Sequence, residues 1–271
     1  MPVAEELVEG VDREWLEQRA RSDPVAHAWA IWDLDREPGR FRIVSLLRDG
    51  QTIGYLLVWY AGGAPRVHWV SSDPTDGMLA LGLPLPPVIA IVPERVAAAV
   101  AERLHSTQSY PLDVLVCAGR TLTPPEPRVR RLRPSDLPAL TELVSRHPDP
   151  EMRGYANLDL DRASVWGAFE SDRLAAVARI AVQLPAVWII TGVYTDPAFR
   201  GRGLGRAVTG AATDDALAAG ARAALYVRAD NAAAQTIYRE LGFEPVDRRI
   251  WIDAAGSSDA SGARPSPPPA K

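Results

Sequence analysis

The chain has 271 residues, enough for one large domain or two of ordinary size, and its apolar fraction of 47% is near the globular norm. A formal net charge of −4 excludes the basic field that holds nucleic acid. The single cysteine, Cys117, excludes an intramolecular disulfide and a cysteine-based zinc site and suits a reducing compartment. Met1 to Arg21 is charged throughout, so no signal peptide is expected, and no apolar run approaches the ~20 residues that span a bilayer. The expectation is a cytoplasmic protein with no membrane and no nucleic-acid partner, a monomer or homodimer.

The elements follow in chain order. Glu5 to Arg21 predicts a helix, with Leu7, Val8, Val11, Trp15 and Leu16 along one stripe. Strands are expected over Phe41–Arg48, Thr52–Tyr60 and Arg66–Ser71, the first two joined by a hairpin turn at Asp49-Gly50. A proline-rich stretch, Leu83 to Pro87, precedes a strand over Val88–Val92. A helix from Pro93 to Leu104 and a strand over Asp113–Cys117 complete the first half. Gly119 to Pro127 has linker composition. The second half opens with a strand over Arg128–Leu132 and a helix that Ser135 caps, running through Val144. A further helix is predicted from Arg162 to Phe169, then strands over Leu174–Val182 and Val187–Thr195, joined at Leu184-Pro185. A glycine-rich loop, a helix to Ala219, a strand over Ala223–Val227, a helix over Ala232–Leu241 and a strand over Arg248–Ile252 end the pattern. The remainder is Gly, Ser, Pro and Ala, a composition that builds no core.

The most informative segment is the strand Val193-Tyr194-Thr195 running through Asp196-Pro197 into Arg200-Gly201-Arg202-Gly203-Leu204-Gly205-Arg206 and then a helix. A strand feeding a glycine-rich turn at a helix N-terminus offers bare N–H groups and the positive end of the helix dipole to an anion. The spacing removes two phosphate-binding alternatives. A dinucleotide fingerprint needs a third glycine where Arg206 or Val208 stands, and a nucleotide-triphosphate loop needs a Gly-Lys pair that is absent. A second constellation follows: Asn231 opens a helix, Tyr238 lies two turns later on the same face, alanines fill the first turn, and Gly242-Phe243 ends it. In isolation, Asn231 is also a plain N-cap and Tyr238 a core aromatic.

Together the form Arg/Gln-x-x-Gly-x-Gly/Ala and the segment Asn231-x-x-Ala234-x-x-x-Tyr238-x-x-x-Gly242-Phe243 resemble the GNAT superfamily of N-acetyltransferases. The resemblance covers Arg128 to Ile252. It implies an α/β GNAT fold, a mixed central sheet flanked by helices, with 128–253 as the acetyltransferase domain. The strand-rich first half, 1–120, is then a degenerate GNAT-like copy without the coenzyme loop, 121–127 a linker and 254–271 a disordered tail. It also implies acetyl-CoA as co-substrate, no metal, and direct transfer of an acetyl group to a primary amine on a small molecule or peptide. Backbone amides of Arg200, Gly201, Arg202, Gly203, Leu204, Gly205 and Arg206 would grip the pyrophosphate, with Arg202 or Arg206 adding charge. The strand end Val193, Tyr194 and Thr195 would pair with the pantetheine arm, the Val193 amide would also polarise the thioester carbonyl, Asn231 would help seat the arm or a water, and Tyr238 would protonate the leaving thiolate. The alternative function is a coenzyme A-binding pseudo-enzyme or sensor without turnover.

The sequence departs from the family pattern in one respect: Val187–Val193 carries no carboxylate to act as base. Asp149, Glu151, Asp196 and a chain of waters remain open as substitutes. Two features of the first half carry less: His68 and Asp73 have a His-x-x-x-x-Asp spacing on a strand better explained by a part-buried histidine, and Trp29, Trp32, Trp59 and Trp69 are either core or the wall of an acceptor cleft.

Overall fold

A computed structural model of the protein describes residues 4–37, 39–60, 64–106, 108–119, 128–145, 147 and 150–254, with only the backbone of Pro150 and Glu151. The expected linker at 121–127 and the expected tail lie outside these residues, apart from Ala254. The first repeat runs β1 (Glu5–Glu9), α1 (Arg13–Ser22), α2 (Pro24–Arg36), β2 (Phe41–Arg48), β3 (Gln51–Trp59), β4 (Arg66–Ser71), a 3-10 helix (Asp76–Gly82), β5 (Ile89–Pro93), α3 (Ala97–Arg103) and β6 (Gln108–Cys117). The second follows the same order: β7 (Val129–Arg131), α4 (Leu137–Ser145), α5 (Pro150–Arg153), β8 (Ser164–Glu170), β9 (Arg173–Gln183), β10 (Val187–Thr195), α6 (Leu204–Ala218), β11 (Arg222–Arg228), α7 (Ala232–Glu240) and β12 (Glu244–Asp253). The α/β class and its mixed sheet are as the sequence predicts.

Two compact units result, one up to Asp113 plus the chain from Asp247, the other over Val114–Val246. These divisions differ from the expected boundaries at 120 and 128 because each repeat's last strand is shared out. The end of β12 supplies the strand beside β5 in the first unit, pairing antiparallel from Arg249↔Pro93 to Asp253↔Ile89. The end of β6 supplies the strand beside β11 in the second. The first unit is ordered β1-β2-β3-β4-β5-β12 and the second β6-β11-β10-β9-β8-β7. Apolar residues on both faces of the central strands bury against helices. In the second unit Ala176, Ala178 and Ile180 of β9 face α6 and α7, while Val177 of the same strand faces α4 and Tyr155.

Three local expectations are corrected and one helix is added. Glu5–Glu9 is a strand paired with β2, and the helix starts only at Arg13, where the Asp12 carboxylate accepts the Trp15 N–H at 3.0 Å. Pro24–Arg36 is an unforeseen helix, capped by Asp23 with proline in its first turn. Ser164–Glu170, read as helix, is a strand in a hairpin with β9. Its Val, Trp and Phe favour the pleat, and Gly167 is pressed so close that a Cβ there would meet Leu174 Cδ1 at 2.7 Å. Ser135 does not cap α4; Asp136 does the equivalent work, accepting the Arg133 N–H at 2.7 Å and pairing with Arg130, which holds its carboxyl down at about 2.

In the first unit His27 is buried, its Nδ1 3.0 Å from the Tyr55 hydroxyl and its ring against Trp15. Burial lowers its pKa from 6.5 to about 4. The folded state therefore holds a neutral ring that the unfolded chain protonates near 6.5, so its contribution to stability is complete above that value and is lost as pH falls toward 4. Between pH 7 and 4.5, urea unfolding of His27→Gln is expected to lose about 2 kcal/mol less stability than the wild type does. Equal losses would mean that the imidazole is not held neutral.

Candidate functional site

The site begins at a strand that parts from its neighbour. β10 pairs in parallel with β11 only from Val187↔Arg222 to Ile189↔Ala224, whereas its antiparallel pairing with β9 continues to Thr195↔Ala176. The register against β9 shifts between Thr191 and Tyr194, and Gly192 there takes φ +57. A Cβ on Gly192 would also come within 2.6 Å of Tyr155 Cε2, so both conformation and space require glycine. The buried Tyr155 hydroxyl lies 3.3 Å from Thr191 Oγ1.

Past Ile189 the β11 side of β10 is open backbone. The Asp196 N–H donates to Ala175 O on β9. Strand amides alternate in direction, so the N–H groups of Thr195 and Val193 point the other way, into the gap. By the same alternation Tyr194 turns its N–H toward β9, and its buried ring packs edge-on to His147 at 4.5 Å, away from Val193. Val193 itself lies against the apolar cluster that contains Tyr238.

The loop that follows is built to present amides. Asp196 caps the 3-10 turn Pro197–Phe199 through the Ala198 N–H at 2.9 Å. Gly201 and Gly203 both take φ +77 with nothing within 4 Å of a Cβ, so conformation alone selects glycine. Gly203 is the N-cap of α6 and has no side chain to satisfy the first turn; the helix's first recorded bond is Ala207 N–H to Gly203 O at 2.9 Å. The amides of Leu204, Gly205 and Arg206 thus have no intrahelical acceptor and stand at the positive end of a 15-residue helix. Gly205 allows that turn to approach β10, where a Cβ would stand 3.1 Å from Thr195 Oγ1. These groups fit a pyrophosphate. Arg200 Nε donates to Thr195 O at 3.3 Å, Arg206 Nε is 3.3 Å from Glu240, and Arg202 is 3.8 Å from Glu170.

On α7, Asn231 is the N-cap, its Oδ1 accepting the Ala234 N–H at 3.2 Å. Tyr238 is 5% exposed, its ring 5.9 Å from that of Phe243, and among the described residues its hydroxyl has no hydrogen-bond partner. Burial pushes that hydroxyl's pKa well above the ordinary 10, so it keeps its proton at neutral pH. Of the candidate bases, Asp196 is 5% exposed and holds Arg173 Nη2 at 2.9 Å, so it is engaged in structure. Asp149 and the side chain of Glu151 lie outside the described residues. His68 is buried against Trp29, and Asp73 pairs with Arg48 at 2.7 Å, so they form no joint site. Among the described residues no group of three His, Cys, Asp or Glu could hold a metal, and no helix is long and apolar enough to cross a membrane. Tyr155, Thr191 and Arg179 escaped sequence reasoning. The glycine inside the apolar strand Ile189–Val193, and an arginine amid Ala176–Val182, were the available signals.

Residues 129–243 match the model of the acetyltransferase (GNAT) family. This part of the chain is a GNAT-family domain. Over 204 residues the chain is 31% identical to an uncharacterized protein of Mycobacterium leprae, covering 70% of this chain and 55% of that one. Over 89 residues it is 37% identical to the mycothiol acetyltransferase of Beutenbergia cavernae, covering 32% of this chain and 30% of that one. The chain therefore spans about half or less of the curated relatives it matches. In fold it is similar to a tandem GNAT protein from the clavulanic acid biosynthesis pathway, with a TM-score of 0.59 at 17% identity over 94% of this chain and 100% of that one.

The two kinds of glycine in this GNAT domain separate experimentally. Gly201→Ala is expected to cost about 1 kcal/mol, for positive φ alone. Gly192→Ala, which also drives a methyl into Tyr155, is expected to cost about 3 kcal/mol or more. Denaturant unfolding of the two variants checks the order, and equal costs would show that Tyr155 yields freely.

Proposed function

We propose that the second unit is an acetyl-CoA-dependent N-acetyltransferase that moves an acetyl group to a primary amine by direct attack. The observation that carries this is the open β10 edge at Val193 and Thr195, continuous with the unsatisfied amides at the start of α6 and flanked by the protonated Tyr238. The amides of Leu204 to Arg206 and of the glycine turn hold the pyrophosphate. The Val193 N–H accommodates the thioester carbonyl oxygen as it becomes an oxyanion. The amine nitrogen attacks the carbonyl carbon, a C–N bond forms, the C–S bond breaks, and the thiolate takes the Tyr238 proton. The proton lost by the amine leaves through water or through Asp149 or Glu151, since Asp196 is committed to Arg173. Asn231 holds the start of α7, and so the placement of Tyr238 two turns on.

The first unit serves as a degenerate copy. Between β4 and β5, where the second unit has its glycine loop, it has the 3-10 helix Asp76–Gly82. There the fully buried Asp76 carboxylate accepts from Trp69 Nε1 and pairs with Arg95, each at 2.6 Å. A second anion has no place beside it.

The absence of a carboxylate on Val187–Val193 favours a second reading, a coenzyme-binding protein without turnover. Thiol release from acetyl-CoA across an amine panel decides between them. The expected result is steady release with at least one amine, lowered about a hundredfold in Tyr238→Phe with coenzyme affinity retained. Coenzyme binding with no release for any amine would establish the second reading. Unimpaired coenzyme binding by Gly203→Val and Gly205→Val together would exclude both.

A further inference from the structure

Among the described residues of the GNAT domain, Arg179 is a cation without a counter-ion. It lies in β9, opposite Val165 of β8 and Thr191 of β10. It shares the face of Val177, which is the face covered by α4 and Tyr155, not by α6 and α7. Its guanidinium carbon stands 5.3 Å from the Tyr155 ring centroid. Its Nε is sealed from solvent without a hydrogen-bond partner, and among the described residues no ion pair reaches the guanidinium. Arg179 is part-buried, so its Nη groups keep access to solvent while the sealed Nε forgoes the hydrogen bond that buried polar groups usually make.

The groups around it are donors. Tyr155 and Thr191 carry one hydroxyl hydrogen each and share a single bond at 3.3 Å, which leaves one hydrogen for another acceptor. Arg179, Tyr155 and Thr191 therefore offer several N–H donors and one O–H donor, with no carboxylate among the described side chains to take them. Thr191 is two residues before Val193, roughly 7 Å of strand from the amide proposed to hold the thioester carbonyl. The set lies on the face of β9 and β10 opposite the one that packs on α6.

We infer that the acceptor amine carries a carboxylate, and that Arg179, with the Tyr155–Thr191 hydroxyl pair, holds this carboxylate so that the amine points into the gap beside Val193. The inference rests on the acetyl-transfer reading for its role in catalysis, but the binding site itself does not depend on turnover. Arg179 is a specificity residue in this scheme and takes no part in proton transfer.

The test uses the full chain saturated with coenzyme A or acetyl-CoA and a panel of α-, β- and γ-amino acids, each matched with its carboxamide. Isothermal titration is expected to show at least one carboxylate binding tenfold or more tighter than its carboxamide, with the preference abolished in Arg179→Met and partly kept in Arg179→Lys. Thiol release is expected to show the same preference in kcat/KM. Arg179→Met is expected to melt at or above the wild-type temperature in the absence of amine, since no ion pair is lost. Carboxylates and carboxamides bound equally, no panel member bound, or a melting temperature of Arg179→Met lowered by more than about 5 °C would each overturn the inference. If the carboxylate preference appears in titration and depends on Arg179, but no amine releases thiol, the acetyl-transfer reading fails and the anion site stands.

Discussion

The second unit is organised by the contact between Tyr155 and the backbone of Gly192. The left-handed glycine breaks the register against β9, and the tyrosine fills the space that a side chain would otherwise take. From Ile190, just before that bulge, β10 has a partner on one side only. Everything proposed for catalysis uses the free side: the amides of Val193 and Thr195, the approach of α6 through Gly205, and Tyr238 in the adjoining apolar cluster. The same contact fixes the other face, because Tyr155 is what Thr191 and Arg179 meet.

The two units illustrate how one element order can serve opposite electrostatic ends. Each has a parallel strand pair joined through a helical segment, β4 with β5 and β10 with β11. In the second unit the segment begins with glycines and a full-length helix whose first amides are unsatisfied, a place for a negative charge from outside. In the first, the segment is a short 3-10 helix that already contains a negative charge, Asp76, paired with Arg95 and hydrogen-bonded by the Trp69 indole. The difference is one of local chemistry on a shared plan, which is why the function of such a fold is argued from the site and not from the topology.

Much of this was legible along the chain because it depends on short-range rules. The glycine spacing at 201, 203 and 205, the cap at Asn231 and the two-turn interval to Tyr238 each involve fewer than ten residues, and the structure places each on the element expected. The misreadings had equally local causes. Ser164–Glu170 has mixed apolar spacing that fits a helix until β7 and β9 are known to flank it. Glu5–Glu9 is too polar to declare itself a strand and becomes one by pairing with β2. Asp196 looked available beside the strand, yet its carboxylate is consumed by Ala198 and Arg173, the second of which lies 23 residues away.

The sequence by itself determined the elements of the glycine-rich loop, its place between a strand and a helix, and the tyrosine that follows, since backbone conformation and helical periodicity are written in neighbouring residues. Only the tertiary structure decided which amides face the gap, which carboxylate is spent, where each repeat's last strand goes, and that Arg179 has no counter-ion among the described residues. Those depend on what long-range pairing brings within a few ångströms of each group. No local pattern encodes the electrostatic surroundings of a side chain whose neighbours come from three strands and a distant turn.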